Sequence, residues 1–193
     1  AAAKKASGQV FNKLFIRHWD TWADGRRNQL FVARFGAGGK LAGEPVKVTR
    51  GSDGDVPSKP FGDAGEFAWS PDSKSIAFNA RIAGKSEPWS TNFDIYIASV
   101  AGKAPPRNLT AANKAWDAGP VYSTDGKTLY YRAMTRPGFE ADRFALMAKD
   151  IATGKTREIA PKWDASADTL VLSSDGRSIY TQASDLGQHP LFK

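Results

Sequence analysis

One pattern occurs three times along the chain and constrains the fold more than any other feature. It stands first as Phe67-Ala68-Trp69-Ser70-Pro71-Asp72-Ser73-Lys74-Ser75-Ile76-Ala77-Phe78-Asn79. It returns as Val121-Tyr122-Ser123-Thr124-Asp125-Gly126-Lys127-Thr128-Leu129-Tyr130-Tyr131 and as Val171-Leu172-Ser173-Ser174-Asp175-Gly176-Arg177-Ser178-Ile179-Tyr180-Thr181. The aspartates at 72, 125 and 175 are 53 and then 50 residues apart. Each copy is an apolar, strand-forming run, then a Ser-x-Asp-Gly/Ser-Lys/Arg turn, then a second apolar run, which is the signal of a β-hairpin. The aspartate bonds to its own backbone, and the residue after it must reach positive φ, so these residues are turn formers. They lie on separate hairpins without dense ligand spacing, and no metal site is read from them.

Two further strand-like runs follow each of the first two hairpins, at 93–98 and 107–110 and at 144–148 and 156–160. Asp63-Ala64-Gly65, Asp117-Ala118-Gly119 and Asp164-Ala165-Ser166 precede the first strand of each unit, the last two after Trp116 and Trp163. Four short strands in a repeat of about 50 residues predict an all-β fold, a β-propeller of four-stranded antiparallel blades, because one small sheet cannot bury both its faces alone. The expected division is a lead-in over 1–12, weakly helical or mobile, and an incomplete propeller over 13–193. Within the propeller, 13–62 is a partial blade, 63–114 and 115–162 are blades, and 163–193 is a partial blade. In the first partial blade, 14–16, 29–35 and 45–49 read as strands. A closed propeller needs at least four blades, so the chain reads as cut at both ends.

Composition narrows the function classes. At 193 residues and 41% hydrophobic, the chain can build a substantial core, and it holds no apolar run near the roughly 20 residues that span a bilayer. Membrane insertion is therefore not expected. With no cysteine, disulfides, thiolate nucleophiles and Cys-based zinc sites are excluded. The net charge of +7 comes from scattered Lys and Arg without a run or stripe, so nucleic acid is not an expected partner. No cofactor motif is present, and self-association is left open. The compartment is not readable from these features, with a periplasmic or secreted setting weighed slightly above the cytoplasm.

Three stretches carry a resemblance: Arg17-His18-Trp19-Asp20-Thr21-Trp22, Glu87-Pro88-Trp89-Ser90-Thr91-Asn92-Phe93-Asp94-Ile95-Tyr96 and Arg136-Pro137-Gly138-Phe139-Glu140-Ala141-Asp142-Arg143-Phe144. With them the chain resembles the propeller domain of the prolyl oligopeptidase family, on the bacterial acylaminoacyl-peptidase and dipeptidyl-peptidase side. The resemblance implies a propeller that caps a separate α/β-hydrolase catalytic domain of the same polypeptide and limits access to short peptide substrates. This chain has no Gly-x-Ser-x-Gly elbow and only two histidines, His18 and His189, so it is expected not to hydrolyse peptides by itself. The competing expectation is a stand-alone protein-binding propeller of the bacterial envelope-accessory type. A propeller-type polysaccharide lyase is disfavoured, because two distant histidines do not make a metal cluster.

The long connection over 81–92 is where a rigid scaffold places binding residues, and Glu87 is its only acid. In the dipeptidyl peptidases that the chain resembles, a propeller carboxylate holds the substrate's free amino group. The resemblance thus makes Glu87, with Trp89 and Asn92, the candidate substrate-binding set. The bland alternative is a solvated loop with Trp89 packed on a neighbouring blade. Glu140, Asp142 and Arg143 occupy the matching loop one blade later, facing the hydrolase domain or the substrate, where a local ion pair that fixes the loop is the alternative. His18 is read as a packed, hydrogen-bonded residue, and Trp19, Trp22, Trp69, Trp116 and Trp163 as filling between blades.

Overall fold

The computed structural model describes residues 7–193. The first half of the lead-in expected over 1–12 lies outside the described residues, and 7–11 form no regular element. The first pairing is a small hairpin of β1 (Arg17–His18) and β2 (Thr21–Trp22), and the strand expected at 14–16 is absent. Next, β3 (Phe31–Val32) pairs antiparallel with β4 (Val46–Lys47). The strand expected over 29–35 shortens to two residues for want of a partner. A 3-10 turn at Ala37–Gly39 intervenes, and Phe35 meets Leu41 only in an isolated bridge.

The next two units match the repeat. In the first, β5 (Phe67–Trp69), β6 (Ser75–Arg81), β7 (Phe93–Ser99) and β8 (Arg107–Asn108) form a four-stranded antiparallel meander. In the second, β9 (Asp117–Tyr122), β10 (Thr128–Ala133), β11 (Ala145–Asp150) and β12 (Thr156–Glu158) do the same. A three-stranded sheet of β13 (Val171–Leu172), β14 (Ile179–Gln182) and β15 (Leu191–Phe192) follows.

Strand β6 shows how the sheets are held together. Alternate side chains point to opposite faces, and here both faces are apolar and buried. Ile76, Phe78 and Ala80 pack with Val48, Val56 and Ala98, against the β3–β4 unit. Ala77, on the other face, joins Ile95, Leu109, Tyr122, Leu129 and Tyr131, and so packs on the following sheet. Buried Asn79 extends that second contact by accepting the backbone N–H of Gly119 at 3.2 Å. The first four-stranded sheet is thus a blade whose two faces are covered by its neighbours, and the fold is of the β-propeller type.

The three turns are built alike. Ser70, Ser123 and Ser173 donate their hydroxyls to Asp72, Asp125 and Asp175 at 2.6–2.7 Å. Each aspartate also accepts the backbone N–H two residues on at 3.0 Å, and each serine that of the residue five positions on, Ser75, Thr128 or Ser178, at 2.9 Å. The residue after the aspartate has φ of +58° at Ser73 and +70° at Gly126 and Gly176, the left-handed turn position. Successive turns also stack, since a Cβ added at Gly176 would meet the Thr124 hydroxyl at 2.8 Å.

Two packing expectations are corrected. Trp116 is stacked on Phe93 at 4.8 Å and Trp163 meets Phe192 at 5.3 Å, but Trp19, Trp22 and Trp69 are exposed. Trp19 and Trp22 belong to the β1–β2 hairpin, where no sheet covers them, and Trp69 ends a three-residue strand. His18 is likewise exposed, with ring contacts to Trp19 and Phe61 in place of the expected hydrogen bond.

Candidate functional site

The connection after β6 folds back as a 3-10 helix, Gly84–Trp89, and so carries Glu87 inward while leaving Trp89 exposed. Glu87 meets Arg27 through a bidentate pair, Nη1 to Oε1 at 2.8 Å and Nη2 to Oε2 at 2.5 Å. The same guanidinium donates to Asp55 Oδ2 at 2.9 Å and to Asp53 Oδ1 at 3.3 Å. One cation therefore gathers three carboxylates, with Asp55 at 7% and Glu87 at 15% side-chain exposure. Asp55 also accepts the backbone N–H of Asn28 at 2.6 Å and lies 3.5 Å from the Lys59 ammonium. Gly54 permits this approach, because a Cβ there would stand 2.8 Å from the carbonyl oxygen of Arg81.

Arg81 closes the cluster from the strand side. It lies over the Phe93 ring at 5.0 Å and donates to the Ser90 carbonyl at 3.0 Å, so the loop 82–92 is pinned at both ends. Burial holds its guanidinium below the ordinary value, opposed by the charges of Glu87 and Glu140. Asn92 keeps a buried side-chain oxygen without a hydrogen-bond partner among the described residues. Glu87, Asp55, Lys59, Arg81 and Phe93 line one small cavity.

Of the residues singled out from sequence, Glu87 is fixed in this charged cluster and Asn92 offers the unpartnered acceptor. Trp89 is exposed and does not pack on a neighbouring blade. Arg143 is engaged elsewhere, with Glu158 at 2.7 Å and the Trp163 carbonyl at 3.0 Å. Glu140 is exposed at the tip of its loop, which the backbone N–H of Gly138 joins to Thr91 Oγ1 at 2.8 Å. Sequence reasoning missed Arg27, Asp53, Asp55 and Arg81. The acid-rich Ser52-Asp53-Gly54-Asp55 and the Arg26-Arg27 pair were visible, but nothing local shows that residues 60 positions apart meet.

A second feature has the composition of a catalytic triad without its geometry. His189 Nδ1 is 3.4 Å from Ser184 Oγ and 3.8 Å from Asp168 Oδ2. Both partners share one ring nitrogen, whereas proton relay needs the serine on one nitrogen and the carboxylate on the other. A cleft of about 680 Å³ between the second four-stranded sheet and the three-stranded sheet is lined by Tyr130, Leu146, Trp163, Ile179 and Phe192 among others, with no Asp or Glu in its lining.

The most strongly perturbed carboxyl lies within the blade stack. Asp117 is fully buried, accepts from Asn113 at 2.9 Å through one oxygen, and leaves the other without a hydrogen-bond partner among the described residues. Burial pushes its carboxyl up to about 7, against the lowering effect of the Asn113 bond. With the folded value raised above an ordinary one of about 3.9, the unfolded chain loses its proton first as pH rises. Stability from this group is complete below about pH 4, falls by about 1.4 kcal/mol per pH unit above that, and levels off near pH 7. Denaturant unfolding of Asp117→Asn beside the parent from pH 5 to 7 is expected to show this slope only in the parent; equal slopes would place the shift elsewhere.

No family model matches the chain. It is 32% identical over 178 residues to dipeptidyl-peptidase 5 of Porphyromonas gingivalis, covering 91% of this chain and 25% of that protein. It is 29% identical over 212 residues to a probable dipeptidyl-peptidase 5 of Arthroderma benhamiae, covering all of this chain and 28% of that protein. The chain thus spans about a quarter of the length of these curated relatives. Among solved structures, a TolB-type protein of Agrobacterium tumefaciens matches with a TM-score of 0.57 and 22% identity, over 84% of this chain and 57% of that one. TolB of Acinetobacter baumannii matches at 0.52 and 16%, over 83% and 34%. The structural likeness is one of fold, and the peptidase relatives align along nearly the whole chain.

Proposed function

We propose that this chain is the non-catalytic, substrate-gating propeller part of a serine exopeptidase that acts on short peptides, of the dipeptidyl- or acylaminoacyl-peptidase kind. On this reading it works beside an α/β-hydrolase domain of the same polypeptide and consists of blades at 63–114 and 115–162 between partial blades. The observation that carries it is the fixed, largely buried Glu87 carboxylate at one end of a blade, in a chain whose relatives are dipeptidyl peptidases. A bidentate guanidinium occupies one lone pair on each carboxylate oxygen and leaves others for an ammonium donor. Asn92 supplies a neutral acceptor on the same loop, and Trp89 and Glu140 are exposed beside it. Arg143, already paired, serves by holding its loop.

The test compares free-amine dipeptide substrates with their N-acetylated forms in the longer polypeptide. Glu87→Gln should lower kcat/KM for free amines by about 10- to 150-fold, the worth of a hydrogen bond to a charged group, roughly 1.5–3 kcal/mol. The acetylated forms should lose far less. An equal loss on both would make Glu87 a support of the loop alone.

The TolB likeness favours one other reading, a protein-binding propeller without a hydrolase partner. A Gly-x-Ser-x-Gly segment downstream in the natural polypeptide would decide for the peptidase.

A further inference from the structure

Two successive contacts between sheets use the same positions of the repeat and are not filled alike. Between the two four-stranded sheets, Tyr122 and Tyr131 are buried and pack with Ala77, Ile95 and Leu109. One repeat later the same two positions are Leu172 and Thr181. Tyr130 stands on the facing wall where Ala77 stood one repeat earlier, yet a cleft of about 680 Å³ is open there. Its apolar lining is Tyr130, Leu146, Trp163, Leu172, Ile179 and Phe192, and of these only Leu146 is buried. Trp163 and Phe192 meet with ring centroids 5.3 Å apart.

The charge around this cleft has one sign. Arg157 on β12 and Arg177 in the third repeated turn line it from opposite walls, Lys193 lines it after β15, and no Asp or Glu does. Among the described residues, neither arginine has an ion-pair partner. Lys193 is differently placed. The Asp175 carboxyl is held below its ordinary value first by the Ser173 hydroxyl and, more weakly, by the charge of Lys193, so that ammonium already has an anion near it.

An apolar, partly aromatic cleft of several hundred Å³ with a few polar groups at its edge has the form of a small-molecule site. A guanidinium presents paired donors that match a carboxylate, and here the two guanidiniums stand beside apolar surface with no acid to neutralise them. We propose that the cleft binds a small organic anion, its aromatic or aliphatic body between the sheets and its carboxylate at the arginine edge. The site shares no lining residue with the cavity at Glu87 and does not depend on the role given to that residue.

The probes are phenylbutanoate, its neutral amide and butanoate, titrated into the isotope-labelled chain while the Trp163 indole N–H is followed by NMR. Phenylbutanoate should bind about fivefold more tightly than the amide, the modest gain of cations that face solvent, and high salt should erase that gain. Butanoate, which lacks the ring, should bind about tenfold more weakly than phenylbutanoate or worse. With Arg157→Gln and Arg177→Gln combined, acid and amide should bind alike and the affinity for the amide should not change. Leu172→Tyr restores the side chain found one repeat earlier and should fill the cleft, removing both probes without lowering Tm. No saturable binding, equal affinity of the parent for acid and amide, a ratio unmoved by the double arginine variant, or binding that survives Leu172→Tyr would overturn the proposal. Two further results would do the same. Loss of binding in the longer polypeptide would give the cleft to flanking chain, and self-association in sedimentation that Leu172→Tyr abolishes would give it to a second copy.

Discussion

Replacing Phe78 by alanine is expected to destabilise the chain by about 3–5 kcal/mol, the usual range for removing a fully buried aromatic ring. Phe78 has no exposure, sits in the middle of β6 and stacks on Tyr96 with ring centroids 5.7 Å apart. Its neighbours Val48 and Val56 come from the chain before the first full blade, and Ile76, Ala80 and Ala98 from the blade itself. The cavity would therefore open between two units rather than inside one, and neither sheet can collapse into it without breaking strand pairing. In a chain of this length the loss should lower Tm by roughly 6–20 °C. Phe35→Ala is the control, since that ring is exposed, and its effect should stay within about 0.5 kcal/mol. Comparable effects in calorimetry at the two positions would show that the contact between β6 and the β3–β4 unit is not part of the cooperative core.

The contrast between these two phenylalanines shows which parts of the fold can be read from sequence. The repeated turns are legible because every bond in them is local, from Ser70, Ser123 or Ser173 to groups within five residues. Long strands such as β6 and β7 are legible because burial on both faces demands a continuous apolar run. The first partial blade is not, because 29–35 has the composition of a strand whichever partner it finds, and only two residues find one. Tryptophan content also says nothing about which side of a sheet is covered: Trp116 lies between Phe93 and Phe144, whereas Trp19 is raised on a hairpin tip. In the candidate site, an acid in a long loop pointed to Glu87. Its cation could not be found in the same way, since Arg27 comes from the connection between the runs at 14–16 and 29–35, and the pairing depends on Gly54 lying against the end of β6.

Arg27 is accordingly where a single change should have the widest consequence for the site. Among the described residues, its guanidinium is the one group in contact with Asp53, Asp55 and Glu87 together, and burial of those pairs is greatest at Asp55 and Glu87. Removing one member of a buried ion pair leaves the other charge desolvated and unpaired, which typically costs about 3–5 kcal/mol. Partial exposure of Arg27 and the nearby Lys59 reduce that here, so Arg27→Ala is expected to destabilise by about 2–4 kcal/mol. Arg27→Lys keeps the charge without the planar fork that spans both oxygens of Glu87, and should recover only part of the loss. The functional consequence follows from the same geometry, because a carboxylate freed from Arg27 no longer points one way. In the longer polypeptide, Arg27→Ala should lower kcat/KM for free-amine substrates as Glu87→Gln does. Combined in one chain, the two substitutions should cost little more than the worse of them, since both break one unit. Strict additivity of the two in both unfolding and kinetics would mean that Arg27 stabilises the loop independently and does not position Glu87.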